Sequence, residues 1–336
     1  MSIKENKSSL ECPINTNLFV ISLFKFVIVT VILYSASQST FAWGPLGHKA
    51  ICDAAWRASD SGMRQALASS AKRMGYKTYA ESCLWADDIR RDRSYAWAKP
   101  LHYMNLPRDA DSVVDGSCAK KNRAQAGSKP QCVWSAIQHY HQRWQNTGLS
   151  RKQRDEALLL FSHFVADIHQ PLHVAYRDDR GGTRRNVTFE GRLMSLHSLW
   201  DSPILYCGTR AKWRQLGKQL SRSHSRYNGS ETANIAVWAE ESFALTRLIY
   251  GELSSRLPAS YCDKFHPLAM VRLELASLRL AELFKSKPFD AEPLRPSGGD
   301  SDADKVQSAP NLIERFSLFI SQLLAALWKS ILTLPP

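Results

Sequence analysis

The sequence predicts an all-α fold, a single mainly helical domain that carries at most a small β-hairpin. Three observations predict it. Apolar residues recur at i, i+3, i+4 spacing through 131–146, 153–174, 233–256 and 267–284. The stretch 46–74 has few helix breakers besides Gly62, which predicts a helix there too. Strand-like alternation is confined to 185–190, around Val187 and Phe189, just after the turn formed by Asp179, Arg180, Gly181 and Gly182. No internal repeat or low-complexity segment interrupts this body. With 336 residues the chain can bury an ample core as one large domain or two small ones. Its 44% hydrophobic and 22% charged content excludes a disordered chain. No run of 18 uncharged apolar residues occurs, which excludes a polytopic membrane protein.

The two ends differ from the body. Residues 1–42 read as an export signal: Lys4 and Lys7 open it, two apolar stretches flank Lys25, and a small-residue run ends at Ala42. Cleavage there makes Trp43 the new N-terminus. The alternative is an uncleaved membrane anchor, against which Lys25 and the small-residue exit speak. Cys12 leaves with the signal, and Cys52, Cys83, Cys118, Cys132, Cys207 and Cys262 remain. An even number of cysteines in an exported chain suggests disulfides, and many pairings are open. Pairing in sequence order is the one expected. At the other end, 288–310 is rich in Pro, Gly and Asp and reads as a linker. Residues 311–336 read as an amphipathic helix, with Leu312, Phe316, Phe319, Leu323, Leu327 and Ile331 at helical spacing. That helix fits either a membrane surface or a position packed back on the domain. The 44 Lys+Arg against 31 Asp+Glu, a formal charge of +13, suits a polyanionic partner or simply a soluble surface.

The histidines carry the chemistry. His163 and Asp167 are an i,i+4 pair on one helix face, and Pro171 then disturbs that helix before His173. His197 and Asp201 form a second such pair. Asp87 or Asp88 and His102 lie upstream, and His48 stands five residues after Trp43. One His–Asp pair is more often a buried hydrogen bond than a metal site. Two pairs, a third histidine between them and the adjacent Gly181 and Gly182 favour a site. The mix of imidazole and carboxylate suits zinc, which has no redox chemistry to lose in an oxidising compartment.

These pieces resemble the S1/P1 nucleases, zinc-dependent single-strand nucleases and 3′-nucleotidases. The resemblance is carried by Trp-Gly-x-x-Gly-His at 43–48, Trp-Ala-Asp at 85–87, Leu-His-Tyr at 101–103, His-Phe-x-x-Asp-x-x-Gln-Pro-Leu-His at 163–173, Gly-Gly at 181–182 and Leu-His-x-x-Trp-Asp at 196–201. They occur in family order across most of 43–285, and the expected nuclease domain is 43–287. The resemblance implies a fold of the zinc-dependent phospholipase C / P1 nuclease type and three zinc ions. One would take Asp87, His102, His163 and Asp167. A second would take the Trp43 α-amine and carbonyl, His48 and a shared Asp167. The third would take His173, His197 and Asp201. Asp87, Arg90 and Asp167 then form the catalytic set, with Arg90 facing the phosphate. Tyr103 matches an aromatic that stacks an unpaired base.

This chain departs from the family at three positions. Thr183 and Ser195 stand where relatives commonly have Asn, and Asn105 stands where some have an acidic residue near the base. These changes put base preference in doubt and touch no metal ligand. The main rival is a zinc-dependent phospholipase C, whose ligand set usually ends in Glu rather than Asp201. A second is a non-catalytic, zinc-stabilised binding protein. The resulting expectation is a secreted or periplasmic monomer acting on single-stranded nucleic acid, with the C-terminal helix available for membrane contact.

Overall fold

The computed structural model describes residues 43–116, 118, 129–208, 210, 212–227 and 234–286. The export signal, the linker and the C-terminal helix expected from the sequence lie outside the described residues.

Helix α1 (Pro45–Ala58) opens with Pro at its first position and buries His48, Ala50, Ile51 and Cys52 on one face. The uninterrupted helix expected over 46–74 does not form. Ser59 is extended, and the Asp60 side chain accepts from the Met63 amide to cap a new helix, α2 (Ser61–Arg73). Two single-turn helices follow, α3 (Tyr79–Ser82) and α4 (Trp85–Asp88). Two 3₁₀ segments, Ile89–Arg91 and Arg93–His102, lead into strand β1 (Met104–Leu106).

Helices α5 (Val133–Gln145) and α6 (Arg151–Ile168) pack side by side. A capping box between Ser150 and Gln153 starts α6. Every residue of α6 from Ala157 to Ile168 is buried, so this helix runs through the core. It stops at Ile168, short of the expected 174, because Pro171 cannot continue the hydrogen-bond ladder. A 3₁₀ turn, Pro171–His173, leads into β2 (Val174–Tyr176). The expected hairpin forms from β3 (Asn186–Phe189) and β4 (Arg192–Ser195), turning at Glu190 and Gly191, both with positive φ. Helices α7 (Leu196–Asp201), α8 (Trp213–Ser223), α9 (Ile235–Gly251) and α10 (Ser260–Leu283) complete the described body.

The fold is mainly helical, as the sequence predicts, with one addition. Strands β1 and β2 pair in parallel, Met104 opposite Val174 and Leu106 opposite Tyr176. Three residues per strand are too few to leave a period-2 signature, so this ladder is silent in the sequence. Cysteines pair in sequence order, 52 with 83, 118 with 132 and 207 with 262.

Candidate metal centre

Three groups of buried side chains each bring their ligand atoms within 4.8 Å of one another: Asp87, His102 and His163; His48, His163 and Asp167; and His173, His197 and Asp201. The first two share His163. Asp167 sits between them, with Oδ1 3.5 Å from His48 Nε2 and Oδ2 3.4 Å from His163 Nε2 and 2.9 Å from His102 Nδ1. One carboxylate thus turns an oxygen toward each group, the geometry a bridging ligand needs. Asp87 Oδ1 is 3.7 Å from His163 Nε2 and 3.8 Å from His102 Nδ1. In the third group His197 Nε2 is 3.7 Å from Asp201 Oδ1.

The backbone aims these rings. His163 Nδ1 donates to the Cys83 carbonyl, His173 Nδ1 to the His102 carbonyl and His197 Nδ1 to the Gly181 carbonyl, at 2.7, 2.6 and 2.7 Å. Each bond fixes one tautomer and leaves the Nε2 lone pair free for a metal. The Cys52–Cys83 bridge holds the first of these carbonyls against α1. The unforeseen parallel ladder explains the second: His102 lies two residues before β1 and His173 one residue before β2, so pairing the strands sets the two rings together.

Gly181 and Gly182 explain the third. Both have positive φ, and a Cβ on Gly181 would stand 2.4 Å from the Leu172 carbonyl oxygen. Only glycine lets this turn present its carbonyl to His197. Asp179 braces the turn, its Oδ1 accepting from the Gly182 amide at 2.9 Å and from Tyr250 Oη. Tyr250 ends a row on α9. Ser242 donates to the Ile168 carbonyl, Thr246 to those of Pro171 and Val174, and Tyr250 to Asp179. At i,i+4,i+8 spacing, one helix face stitches down the loop that carries His173. Gln170 donates to Asp201 Oδ1 at 2.7 Å.

The donor set fits a divalent cation. His48 Nδ1 and Nε2, His102 Nε2, His163 Nε2, Asp167 Oδ1 and His173 Nε2 are buried and have no hydrogen-bond partner among the described residues, although buried polar atoms are normally satisfied. Burial, with the neighbouring histidines, pushes the pKa values of His48, His102 and His173 well down, and burial takes His197 to about 4. Neutral imidazole is the form that binds metal. Burial disfavours a charged His163, but the Asp167 and Asp87 carboxylates outweigh it and raise its pKa. Burial also raises Asp167 and Asp201. The cluster is short of positive charge, which a metal dication supplies.

The other residues singled out in the sequence lie outside the three groups. Arg90 Nη1 lies 3.2 Å from Asp87 Oδ1. Its charge depresses His102, His173 and His197, so its field reaches the first and third groups. Tyr103 is exposed and Asn105 half-buried on the same side of β1, while Met104 and Leu106 point into the core. Thr183 follows Gly182 and is half-buried. Trp43 is fully buried. Sequence reasoning gave no role to Gln170, Asp179, Thr246 or Tyr250. The first two stand inside or beside the motifs. Nothing in the pattern of α9 sets Thr246 and Tyr250 apart.

The profile of the family described as S1/P1 Nuclease matches residues 43–287. Endonuclease 2 of Arabidopsis thaliana is 35% identical over 184 residues, 53% of this chain and 61% of that protein. Nuclease P1 of Penicillium citrinum is 34% identical over 165 residues, 48% of this chain and 57% of that protein. Nuclease S1 of Aspergillus oryzae is 28% identical over 282 residues, 75% of this chain and 95% of that protein. The chain therefore spans about three-fifths of the length of the first two relatives and nearly all of the third. The family match covers well over half of the chain and encloses all three ligand groups, and the protein belongs to the S1/P1 nuclease family.

Proposed function

We propose that this protein is an exported, zinc-dependent endonuclease that hydrolyses phosphodiester bonds of single-stranded DNA and RNA to 5′-phosphorylated products and also removes 3′-phosphates from nucleotides. The observation that carries the reading is the pair of ligand groups joined through His163 and Asp167, beside a third group held by the Gly181 turn. The matched nucleases support it. Zinc bound at such groups supplies a Lewis acid and makes water nucleophilic near neutral pH.

The chain's own residues do the rest. Asp87, His102, His163 and Asp167 would hold one ion and His48 with Asp167 a second, which the Trp43 α-amine would join once export has freed it. His173, His197 and Asp201 would hold the third. Arg90, tethered to Asp87, offers a fixed positive charge to the phosphate oxygens as their charge builds. Tyr103, exposed and adjacent to His102 in sequence, stacks an unpaired base, and Asn105 and Thr183 are further substrate contacts. Stacking tolerates any base but needs it unpaired, which accounts for single-strand preference. The three disulfides suit an oxidising compartment. On this reading the protein is a secreted or periplasmic monomer, and membrane contact is left to 311–336.

The test is hydrolysis of single-stranded DNA, single-stranded RNA, a 3′-nucleotide and phosphatidylcholine, with chelator and with zinc restored. Nucleic-acid cleavage that chelation abolishes and zinc restores is expected. Cleavage of the phospholipid alone would make the protein a phospholipase C. Two extra residues before Trp43 should lower both zinc content and rate. Tyr103→Ala should weaken single-strand binding by about 1–3 kcal/mol.

A further inference from the structure

Helix α8 (Trp213–Ser223) contributes nothing to the metal groups, yet its charge pattern is extreme. Its inner face, Leu216, Gly217 and Leu220, is buried against α1. Gly217 approaches so closely that a Cβ there would stand 2.4 Å from Asp53 Oδ2, so the helix is fixed with one face inward. The outer face carries Arg214, Lys218 and Arg222, all exposed. They stand at i,i+4,i+8, a single row with neighbours about 6 Å apart along the axis. Exposed Lys212 and Arg226 extend the row at its two ends, and no Asp or Glu occurs from 212 to 227.

No ion pair answers Arg214, Lys218 or Arg222 among the described residues; the Arg214 guanidinium lies over the Trp213 ring at 4.2 Å, and Arg226 alone reaches a carboxylate, Glu274 at 3.9 Å. Like charges at i,i+4 oppose a helix, and Arg214 in the first turn opposes the macrodipole. Among the described residues no carboxylate relieves the like-charge row of Arg214, Lys218 and Arg222, the pattern expected where a ligand supplies the opposite charge.

We propose that this row is a docking track for the sugar–phosphate backbone of a single-stranded nucleic acid, separate from the metal centre and serving long substrates. The proposal rests on the nuclease reading for the identity of the strand. A row of spaced cations suits a polyanion of regular charge spacing. A bilayer surface is the poorer fit. An interfacial helix presents apolar residues outward to the lipid, and the apolar face of α8 is already used against α1.

The experiment compares the wild-type protein with R214Q/K218Q/R222Q, which alters no ligand. Binding of an uncleavable phosphorothioate 30-nucleotide strand is measured against salt, and hydrolysis is measured on a dinucleotide and on long single-stranded DNA. Three lost phosphate contacts should lower the slope of log K against log salt by about 2. KM for the long strand should rise, with dinucleotide kcat and KM unchanged, and R214K/K218R/R222K should restore the slope. Unchanged dinucleotide turnover also shows that the variant is folded. An unchanged slope overturns the track. So does a loss confined to binding of phosphatidylserine vesicles, which would assign the row to a membrane surface. If the wild-type protein cleaves neither substrate, the nuclease reading fails instead, and the salt slope still decides whether the row binds the strand.

Discussion

Two buried polar clusters lie within two turns of each other at the end of α6, and they are solved in opposite ways. His163 and Asp167 belong to the metal groups, where buried atoms lack protein partners. His169 follows directly and belongs to a cluster that answers its own charges. Its Nδ1 donates to the Val165 carbonyl and its Nε2 accepts from Arg279. Arg279 and the fully buried Arg272 both pair with Glu241, at 2.6 and 2.5 Å. Arg272 also donates to the Trp238 carbonyl and Ser242 Oγ. Burial opposes charge on Glu241, yet the two arginines overcome it and pull its carboxyl down to about 2. Buried charge needs a partner. Around Glu241 the chain supplies that partner itself, whereas the groups around His163 and Asp167 leave donor atoms available to a cation, as a candidate metal centre does.

Breaking each cluster should therefore produce opposite losses. Asp167→Asn removes the carboxylate that faces His48 on one side and His102 and His163 on the other while keeping its shape. Hydrolysis should fall by about 10²–10³-fold or more, with less bound zinc and little change in chelator-treated melting temperature. Glu241→Gln leaves two buried guanidiniums without their carboxylate and should cost about 3–5 kcal/mol of stability. The fraction that folds should keep its full zinc. Denaturant melts and metal analysis of both variants check this. A Glu241 variant that loses zinc but not stability would abolish the distinction.

Acid should separate the clusters next. His48, His102, His173 and His197 have folded pKa values below their unfolded value of about 6.5. Below that pH the unfolded chain takes up protons that the folded one refuses, so their support fades from about pH 6.5 downward, and protons displace metal in the same range. Glu241 is depressed from 4.5 to about 2, so its contribution is whole above 4.5 and fades only below it. Zinc release between about pH 6 and 5, with helical circular dichroism intact until below 4.5, is the expected order. Simultaneous loss of zinc and helix would join what the structure separates.

The metal groups were the more legible of the two clusters. His163 with Asp167 and His197 with Asp201 announce themselves by i,i+4 spacing, and Gly181 with Gly182 by composition. The parallel β1–β2 ladder that sets His102 beside His173 is too short to leave a pattern. The ionic cluster was silent as well, because Glu241, Arg272 and Arg279 read in sequence as ordinary polar residues on helices. Their burial depends on how α9 and α10 meet α6, which no local period encodes. The break at Ser59 and Asp60 was readable in principle, since Asp is a good cap, but the scarcity of Gly and Pro across 46–74 masked it.

The smallest effect tests whether α9 serves both clusters at once. The helix that carries Glu241 also carries Tyr250, about two and a half turns further along and nearer the third metal group. Tyr250 Oη donates to Asp179, Asp179 accepts the Gly182 amide, and Gly181 offers its carbonyl to His197 Nδ1. Tyr250→Phe removes only the first donor and keeps the ring, so the 4.9 Å cation–π contact from Arg108 to that ring survives. The turn should then hold His197 less firmly, and zinc should bind the third group about tenfold more weakly, the low end for a partner behind a ligand. Zinc titration should show one weakened site and two unchanged ones. Asp179→Ala should weaken the same site further, since it also frees the Gly182 amide. If all three sites weaken together, Tyr250 acts through overall stability as Glu241 does, and the row on α9 is a single structural seam. If none weakens, the glycine turn holds its shape without help, and His197 is oriented by Gly181 alone.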